Sequence, residues 1–135
     1  MGYPIFDLDN FFTDINLYLR KLEEVIINTL KSYNLTGFTI KGETGVWVKD
    51  KDGLSKKICA FGIRASRWVT MHGLCFNVDP DLSFFNHIIP CGIQNKGITS
   101  LKQLKKEDID IDEVKSRLVE NFKLVFNAEI SFEAN

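Results

Sequence analysis

The stretch "FTIKGETGVWVKDKDGLSKKICAFGIRASRWVTMHGLCFNV", residues 38–78, decides the fold. It is rich in Val, Ile, Phe, Trp and Thr, which favour strands, and glycines punctuate it. Residues 45–48 predict one strand, residues 57–64 and 69–78 predict two more, and Asp52-Gly53 is a strong hairpin-turn signal. We therefore predict an antiparallel sheet of three or more strands.

The segment before this stretch predicts one long helix. Its apolar residues recur at spacings of three and four and form a single stripe: Ile15, Leu19, Leu22, Ile26, Leu30 and Tyr33. Asp9 or Asn10 is predicted to cap the first turn, and the helix is predicted to end around Asn34. The charged residues of the helix are assigned to its other faces: Arg20, Lys21, Glu23 and Glu24.

The segment after residue 78 predicts two short helices. Asp79 is predicted to cap the first of them, with Pro80 at its first position, where proline is favoured. Residues 99–101, Thr-Ser-Leu, are predicted to start the second.

The end of the chain predicts one more helix, beginning near Asp110 or Asp112. Asp110 and Glu113 resemble a capping box with Asp in the Ser/Thr place. Apolar residues give the helix a buried face: Val114, Leu118, Phe122 and Val125. Three alternating residues then predict a closing strand: Ala128, Ile130 and Phe132. Because helices and strands mix without a regular βαβ rhythm, the fold class is α+β or mixed α/β.

The composition predicts a single domain, residues 1–135, because this length suffices for one domain and is short for two. The net charge of -1 gives no sign of nucleic-acid or membrane-surface binding. We see neither a secretory leader nor an apolar run of the roughly 20 residues that span a bilayer. Three widely spaced cysteines without a CxxC pair argue against disulfides and zinc. Free thiols in a reducing cytoplasm are the simplest expectation.

Cys91 is the most unusual of the three cysteines, because it lies between Pro90 and Gly92. Proline fixes its own φ, and glycine tolerates backbone conformations that other residues avoid. Together they can hold a thiol at a sharp, exposed turn. We interpret Cys91 as a candidate nucleophile; the alternative is a small hydrophobic residue in a loop.

Two lysines, Lys56 and Lys57, lie at the start of the second predicted strand. Adjacent strand residues face opposite sides, so one of the two should point inward. An ammonium beside a thiol stabilises the thiolate, and a desolvated lysine loses its own proton more readily. Taken alone, however, the pattern favours two lysines that solvate an edge strand.

The third predicted strand carries His72, next to Gly73. His72 could act as a base for Cys91, or it could be a hydrogen-bonded core histidine. Because the sequence offers no evident third residue to orient it, we favour the structural role. Cys59 and Cys75 lie inside apolar strands, where buried thiols are inert, and we interpret both as core or pocket wall.

Taken together, three stretches resemble one family. "GVWV", "KICAFGIRASRWVTMHGLCFNVDPDLSFFNHIIPCGI" and "KGITSL" are similar to the C-terminal half of the bacterial octanoyltransferases, the lipoyl(octanoyl) transferases of protein lipoylation. The likeness runs from about Gly2 to Leu101 and on through the last helix. Its most specific part is residues 57–91, where the strand lysine, the His-Gly-Leu element and the Pro-Cys-Gly turn occur in family order and spacing. The resemblance implies the fold of biotin and lipoate ligases, a mixed sheet with packed helices.

The resemblance also implies a reaction. An acyl carrier protein would deliver an octanoyl thioester, Cys91 would take the acyl group, and a lysine of a lipoyl domain or of the glycine-cleavage H protein would receive it. Lys57 would lower the pKa of Cys91 and shuttle protons. Six residues match the stretches that line the acyl site: Ala60, Phe61, Gly62, Gly73, Leu74 and Cys75. No metal or nucleotide cofactor is expected, because a thioester is already activated.

One departure from the family pattern is serious. Octanoyltransferases are nearly twice as long and carry an upstream Arg-Gly-Gly…Tyr-His-Gly-Pro-Gly-Gln motif that forms much of the acyl pocket; this sequence lacks it. We therefore expect the 135-residue chain alone to be weakly active or inactive. Comparable acyl transfer by this chain and by one extended upstream would contradict that expectation.

Two alternatives stay open. The chain could bind carrier or lipoyl domains without transferring anything. It could also be a cysteine hydrolase that uses Cys91 and His72, although no orienting Asn or Asp lies in a recognisable place.

Overall fold

The computed structural model describes residues 1–83 and 97–133. A 3-10 helix, Leu8–Asn10, is followed by these elements: α1 Ile15–Lys31, β1 Phe38–Ile40, β2 Glu43–Lys49, β3 Ser55–Ser66, β4 Val69–Phe76, β5 Gly97–Ile98, α2 Leu101–Lys105 and α3 Ile111–Phe126. The Pro-Cys-Gly turn with Cys91 lies outside the described residues. Within the described part of the chain, no helix is long and apolar enough to cross a bilayer.

The sheet confirms the predicted α+β class. Its strands lie in the order β1-β2-β3-β4, all antiparallel, and β5 pairs in parallel with the start of β3. The three predicted strands are present, although β3 extends two residues further at each end and β4 ends two residues earlier, at Phe76. Among the described residues, the parallel pairing is that of β5, whose Gly97 and Ile98 pair with Lys56 and Lys57.

Two tight turns connect the three central strands. The predicted Asp52-Gly53 turn is confirmed: the Asp50 side chain accepts hydrogen bonds from the Asp52 and Leu54 amides, both at 2.9 Å, and Gly53 has φ +76°. The β3–β4 turn is Arg67-Trp68, with φ of +49° and +62°. Two consecutive positive φ values define the hairpin turn that matches strand twist, but Asn and Gly usually fill it.

The helix caps partly correct the sequence predictions. Asp14, rather than Asp9 or Asn10, caps α1, and its side chain accepts from the Leu17 amide at 2.9 Å. Residues 9 and 10 belong instead to the preceding 3-10 helix. The predicted starts of the two later helices are confirmed: Ser100 caps α2, and Asp110 caps α3.

The core lies between one face of the sheet and the helices. α1, the sheet and the start of α3 share one buried cluster, against which later residues of α3 pack. Its buried members include Ile26, Leu30, Val46, Ile58, Cys59, Phe76 and Val114. A second, aromatic cluster joins α1 and α3 to the N-terminal segment, with the Phe6 and Phe126 ring centroids 4.6 Å apart. From Cys59 onward, β3 alternates between this covered face and an exposed one.

The N-terminal segment runs antiparallel along the outer edge of β4. Gly2 and Leu74 exchange two backbone hydrogen bonds of 2.9 Å, and the Thr70 amide donates to the Phe6 carbonyl at 2.8 Å. The Tyr18 hydroxyl of α1 donates to the Pro4 carbonyl at 2.7 Å. This segment partly covers the edge of β4.

Two sequence predictions are wrong. Residues 79–82 are not helical, so the predicted helix start at Asp79 and Pro80 is wrong; Asp79 instead pairs with Lys102 of α2 at 2.9 Å. The part of that predicted helix beyond residue 83 lies outside the described residues. Residues 128–133 form no strand, and Phe132 is exposed. The alternation of three apolar residues was too short to decide the structure without a neighbouring strand to pair with.

Candidate active site

A cavity of about 460 Å³ opens on the β3–β4 hairpin, and we call it the hairpin cavity. It is lined by all six predicted acyl-site residues and His72, together with Met1 and Tyr3 of the N-terminal segment. The strand register explains this convergence: Ala60 pairs with Cys75, and the next two residues of β3 pair with Leu74 and Gly73. This register brings the two short sequence stretches side by side at the hairpin cavity.

The two glycines of the hairpin cavity play different parts. An added Cβ at Gly62 would meet no atom within 4 Å, so the missing side chain keeps that part of the cavity open. At Gly73, a Cβ would overlap the Gly2 carbonyl oxygen. Both glycines match the stretches expected to line the acyl site, and Gly73 also makes room for the N-terminal backbone.

His72 is exposed, so its interpretation as a hydrogen-bonded core histidine is wrong. It pairs with Ile63 in the sheet, and its backbone has φ +66°, in the left-handed region that non-glycine residues seldom adopt. Such conformations cost of order 1 kcal/mol and concentrate at binding and catalytic sites. The imidazole is therefore placed at the cavity wall by a conformation that strand pairing alone would not select.

Lys57 lies near the start of β3, where it pairs with Trp47 of β2, and it is not among the described residues that line the hairpin cavity. Its Nζ is 4.6 Å from the ring centroid of Trp47, which is only 1 % exposed. An ammonium over an indole face is attracted by the ring's electron density. Its neighbour Lys56 instead approaches Asp50, with Nζ 3.8 Å from Oδ2. Of the two lysines, Lys57 is thus the one held against a buried side chain.

A β-bulge creates the Lys57–Trp47 contact. Val46 pairs with Cys59, and the next residue of β2, Trp47, pairs with Lys57, so Ile58 is an extra residue in β3. In an unbroken ladder, Trp47 would face Ile58, and Lys57 would pair with Val48. Bulges re-aim side chains and are frequent beside active sites. Here the bulge places the lysine directly across from the indole.

The two described cysteines differ. Cys59 is buried, and burial raises the pKa of its thiol well above the ordinary value, which confirms the expected inert core thiol. Cys75 is exposed and belongs to the wall of the hairpin cavity. Within the ranges 1–83 and 97–133, no group of His, Cys, Asp and Glu side chains is arranged to hold a metal ion.

Glu23 is a buried residue that the sequence analysis wrongly assigned to an outer helix face. Its side chain is 1 % exposed, Oε1 accepts from the Gly45 amide at 3.2 Å, and Oε2 accepts from Arg20 at 2.5 Å. Burial raises the pKa of the carboxyl, while the Gly45 amide and Arg20 oppose that shift. Glu23 lies four residues after Leu19 and seven before Leu30, so it borders the apolar stripe. That position beside the apolar stripe was the feature of the sequence that could have indicated a buried Glu23.

Cys91, the predicted nucleophile, lies outside the described residues. The chain re-enters the described part at Gly97, which pairs with Lys56, and Ile98 pairs with Lys57. The Thr99 amide donates to the Lys57 carbonyl at 3.1 Å. The segment that follows Cys91 therefore returns to the strand that carries Lys57.

Comparison with known protein families gives one match over most of the chain. The model described as "Lipoyl protein ligase A/B catalytic domain" matches residues 1–123. Curated relatives named "Octanoyltransferase" include one from Christiangramia forsetii, 52 % identical over 134 residues, and one from Flavobacterium johnsoniae, 55 % identical over 131. The alignments cover 98 % and 96 % of this chain but 57 % and 56 % of those relatives. The chain thus spans a little over half their length.

Solved structures with the same fold are more distant in sequence. A bi-partite lipoate protein ligase from Thermoplasma acidophilum superposes with a TM-score of 0.72 at 17 % identity, covering 97 % of this chain and 51 % of that one. The apo biotin protein ligase from Aquifex aeolicus gives 0.68 at 16 % identity, covering 93 % and 51 %. The fold expected from the sequence, that of biotin and lipoate ligases, is therefore confirmed.

Proposed function

This chain belongs to the lipoyl protein ligase A/B catalytic domain family, and we propose from that premise that it transfers octanoyl groups to protein lysines. One observation carries the proposal: all six residues expected at an acyl site line the hairpin cavity. Its volume of about 460 Å³ lies in the range typical of small-molecule sites. The octanoyltransferases among its relatives support this choice of acyl group.

The proposed first step loads the enzyme. The Cys91 thiolate attacks the thioester carbonyl of octanoyl-acyl carrier protein, a carbon–sulfur bond forms to Cys91, and the carrier thiol leaves with a proton. The proton of the Cys91 thiol passes to Lys57, and Lys57 then gives a proton to the departing carrier thiolate, which leaves Lys57 neutral for the second step. An ammonium at Lys57 stabilises the thiolate, and its place over Trp47 supports that role by holding the charge at one position.

The proposed second step transfers the acyl group. The amine of a lysine on a lipoyl domain or on the glycine-cleavage H protein attacks the Cys91 thioester, an amide bond forms, and the Cys91 thiolate leaves. The amine must lose a proton, which neutral Lys57 can accept. Each step breaks one thioester bond while the next acyl bond forms. Because a thioester is already activated, the reaction needs no nucleotide. We place it in the cytoplasm, where free thiols persist.

Acyl loading tests the proposal. Incubation with octanoyl-acyl carrier protein should leave an octanoyl adduct on Cys91 that hydroxylamine removes, as peptide mass spectrometry would show. Cys75→Ala is the matched control, because Cys75 is the exposed thiol among the described residues, and this variant should keep the adduct. The full-length Flavobacterium johnsoniae relative serves as the positive control. An adduct that persists in Cys91→Ala would reject Cys91 as the acyl carrier.

A second candidate follows from the span of the chain, which covers little more than half of its octanoyltransferase relatives. The chain could bind carrier or lipoyl domains without transferring an acyl group. Binding of octanoyl-acyl carrier protein without an adduct, under conditions where the full-length relative is loaded, would select this function. Release of free octanoate as the main product would instead favour a cysteine hydrolase with His72 as base.

A further inference from the structure

Glu23 is a buried carboxylate that the proposed reaction does not use. Burying a carboxylate costs free energy unless hydrogen bonds and opposite charge compensate it. In this chain the compensation comes from the Gly45 amide, 3.2 Å from Oε1, and from Arg20, 2.5 Å from Oε2. Arg20 is half exposed, whereas Gly45 belongs to β2. Glu23 therefore ties α1 to one backbone amide of the sheet.

That amide belongs to the surface on which Lys57 lies. Gly45 has φ +136°, a conformation that residues with a side chain rarely adopt. An added Cβ would lie 3.1 Å from Lys57 Cε and 3.2 Å from Trp47 Cη2. The stem of Lys57 thus passes close to the bare Cα of Gly45, and its Nζ lies over the Trp47 ring.

We propose that Glu23 is a positioning residue for Lys57: by holding the Gly45 amide it fixes the surface under the lysine side chain and so sets where the ammonium lies. The importance of this position for acyl transfer rests on the function proposed above. The positioning itself depends only on contacts among Glu23, Gly45, Trp47 and Lys57, and it can be measured without any substrate.

The charges around the buried Cys59 thiol support this arrangement. Burial is the main cause of its raised pKa, and charges act more weakly: Cys75 and Glu23 raise the pKa, and the N-terminal amino group and Lys57 lower it. Both Glu23 and Lys57 therefore lie near enough to this sulfur to act on its pKa. Arg20 is the cation paired with Glu23, whereas Lys57 faces the indole.

Nuclear magnetic resonance of ¹³C-lysine-labelled protein tests the positioning. The Trp47 ring current should displace the Lys57 ε-methylene signal upfield, and Lys57→Met identifies that signal by its loss. Glu23→Leu, which removes the acceptor, should reduce the displacement by at least half. Glu23→Gln keeps a carbonyl acceptor and should retain it. Glu24→Leu, a change at the exposed neighbouring position, is the matched control and should also retain it.

An unchanged Lys57 signal in folded Glu23→Leu would overturn the proposal. Should that variant fail to fold, Glu23→Asp decides instead, because its acceptor is one methylene shorter. An intermediate displacement in Glu23→Asp supports positioning, and a displacement equal to that of the unmodified chain contradicts it. A loss of displacement in Glu24→Leu equal to that in the Glu23 variants would also contradict it, since the effect would then be general to α1.

Alkylation of Cys91 separates this inference from the proposed function. At pH 7, Glu23→Leu should slow iodoacetamide labelling of Cys91 to within about twofold of the rate in Lys57→Ala, while Glu23→Gln should keep the original rate. If Lys57→Ala does not slow labelling but the lysine signal moves as expected, the positioning holds and Lys57 loses its proposed role. If Lys57→Ala slows labelling and Glu23→Leu changes neither rate nor signal, the role of Lys57 holds and the positioning fails.

Discussion

The two edges of β3 differ in regularity, and each edge bears a different part of the candidate site. Toward β4, eight consecutive residue pairs run without a break from Cys59–Phe76 to Ser66–Val69. Toward β2, the ladder is interrupted at Ile58 by a bulge. The regular edge forms the hairpin cavity from residues whose faces follow simple alternation. At the bulged edge, Lys57 pairs with Trp47, whereas in an unbroken ladder it would pair with Val48.

The largest expected effect distinguishes the two edges through their glycines. Gly45→Ala should destabilise the fold by about 3 kcal/mol, because φ is +136° and the new Cβ would lie 2.8 Å from the Cys59 carbonyl oxygen. Gly62→Ala, on the regular edge, should change stability by no more than about 0.5 kcal/mol, since no atom lies within 4 Å. Urea unfolding at pH 7 measures both. Equal losses would contradict the contrast between the edges.

The outer edge of β4 should respond next. Gly73→Ala should destabilise by about 2 kcal/mol, because the new methyl group overlaps the Gly2 carbonyl oxygen and displaces the N-terminal segment. Hydrogen exchange of the Leu74 amide, which donates to Gly2, should accelerate together with this loss. Exchange as slow as in the unmodified chain would mean that the segment tolerates the methyl group. Gly62→Ala is again the control, with slow exchange expected.

His72 tests whether the regular edge stores strain at the cavity. His72→Gly should stabilise the fold by about 1 kcal/mol relative to His72→Ala, because φ of +66° suits glycine and not alanine. Both variants lose the imidazole, so the difference between their thermal unfolding midpoints reports the backbone strain minus the greater freedom of glycine in the unfolded chain. A higher midpoint for His72→Ala would show that the conformation at His72 is not strained.

The smallest effect concerns the pH dependence contributed by Glu23. Its folded pKa is raised, mainly by burial, so the folded state holds the proton to higher pH than the unfolded chain does. This group therefore lowers stability as pH rises from the ordinary glutamate range, about 4.5, through the folded pKa. Relative to Glu23→Gln, the unmodified chain should lose stability across that interval. If the difference in stability between the unmodified chain and Glu23→Gln stays constant from roughly pH 4 to pH 7, where such a shift acts, this pH dependence is contradicted.

Much of the fold could be predicted because local patterns decided it. Residues 57–64 and 69–78 are rich in strand-favouring side chains, and Asp52-Gly53 is a strong turn signal, so the central antiparallel strands could be predicted. The last helix was predicted with its cap because Asp110 stands next to an apolar period that α3 keeps for four turns. The six cavity residues came from the family resemblance, and the register of β3 and β4 then brought them together.

The remaining features depend on partners distant in sequence. The buried place of Glu23 depends on the Gly45 amide, 22 residues away, so its charge suggested an exposed face. The bulge at Ile58 depends on how β2 and β3 meet, which neither strand specifies alone. The predicted closing strand failed because residues 128–133 have no strand partner, although their side chains alternate.

The two-residue turn at Arg67-Trp68 has a consequence for the order in which the protein assembles. The entropy lost on closing a loop grows with the length of the loop. The β3–β4 hairpin has a two-residue turn, so pairing of its strands costs little loop-closure entropy. Hairpins of this kind close in about 1–10 μs. We therefore expect the floor of the hairpin cavity to form as an early local unit. The contacts that place Lys57 should form later, because they also require α1, whose Glu23 lies 34 positions before Lys57 in the sequence.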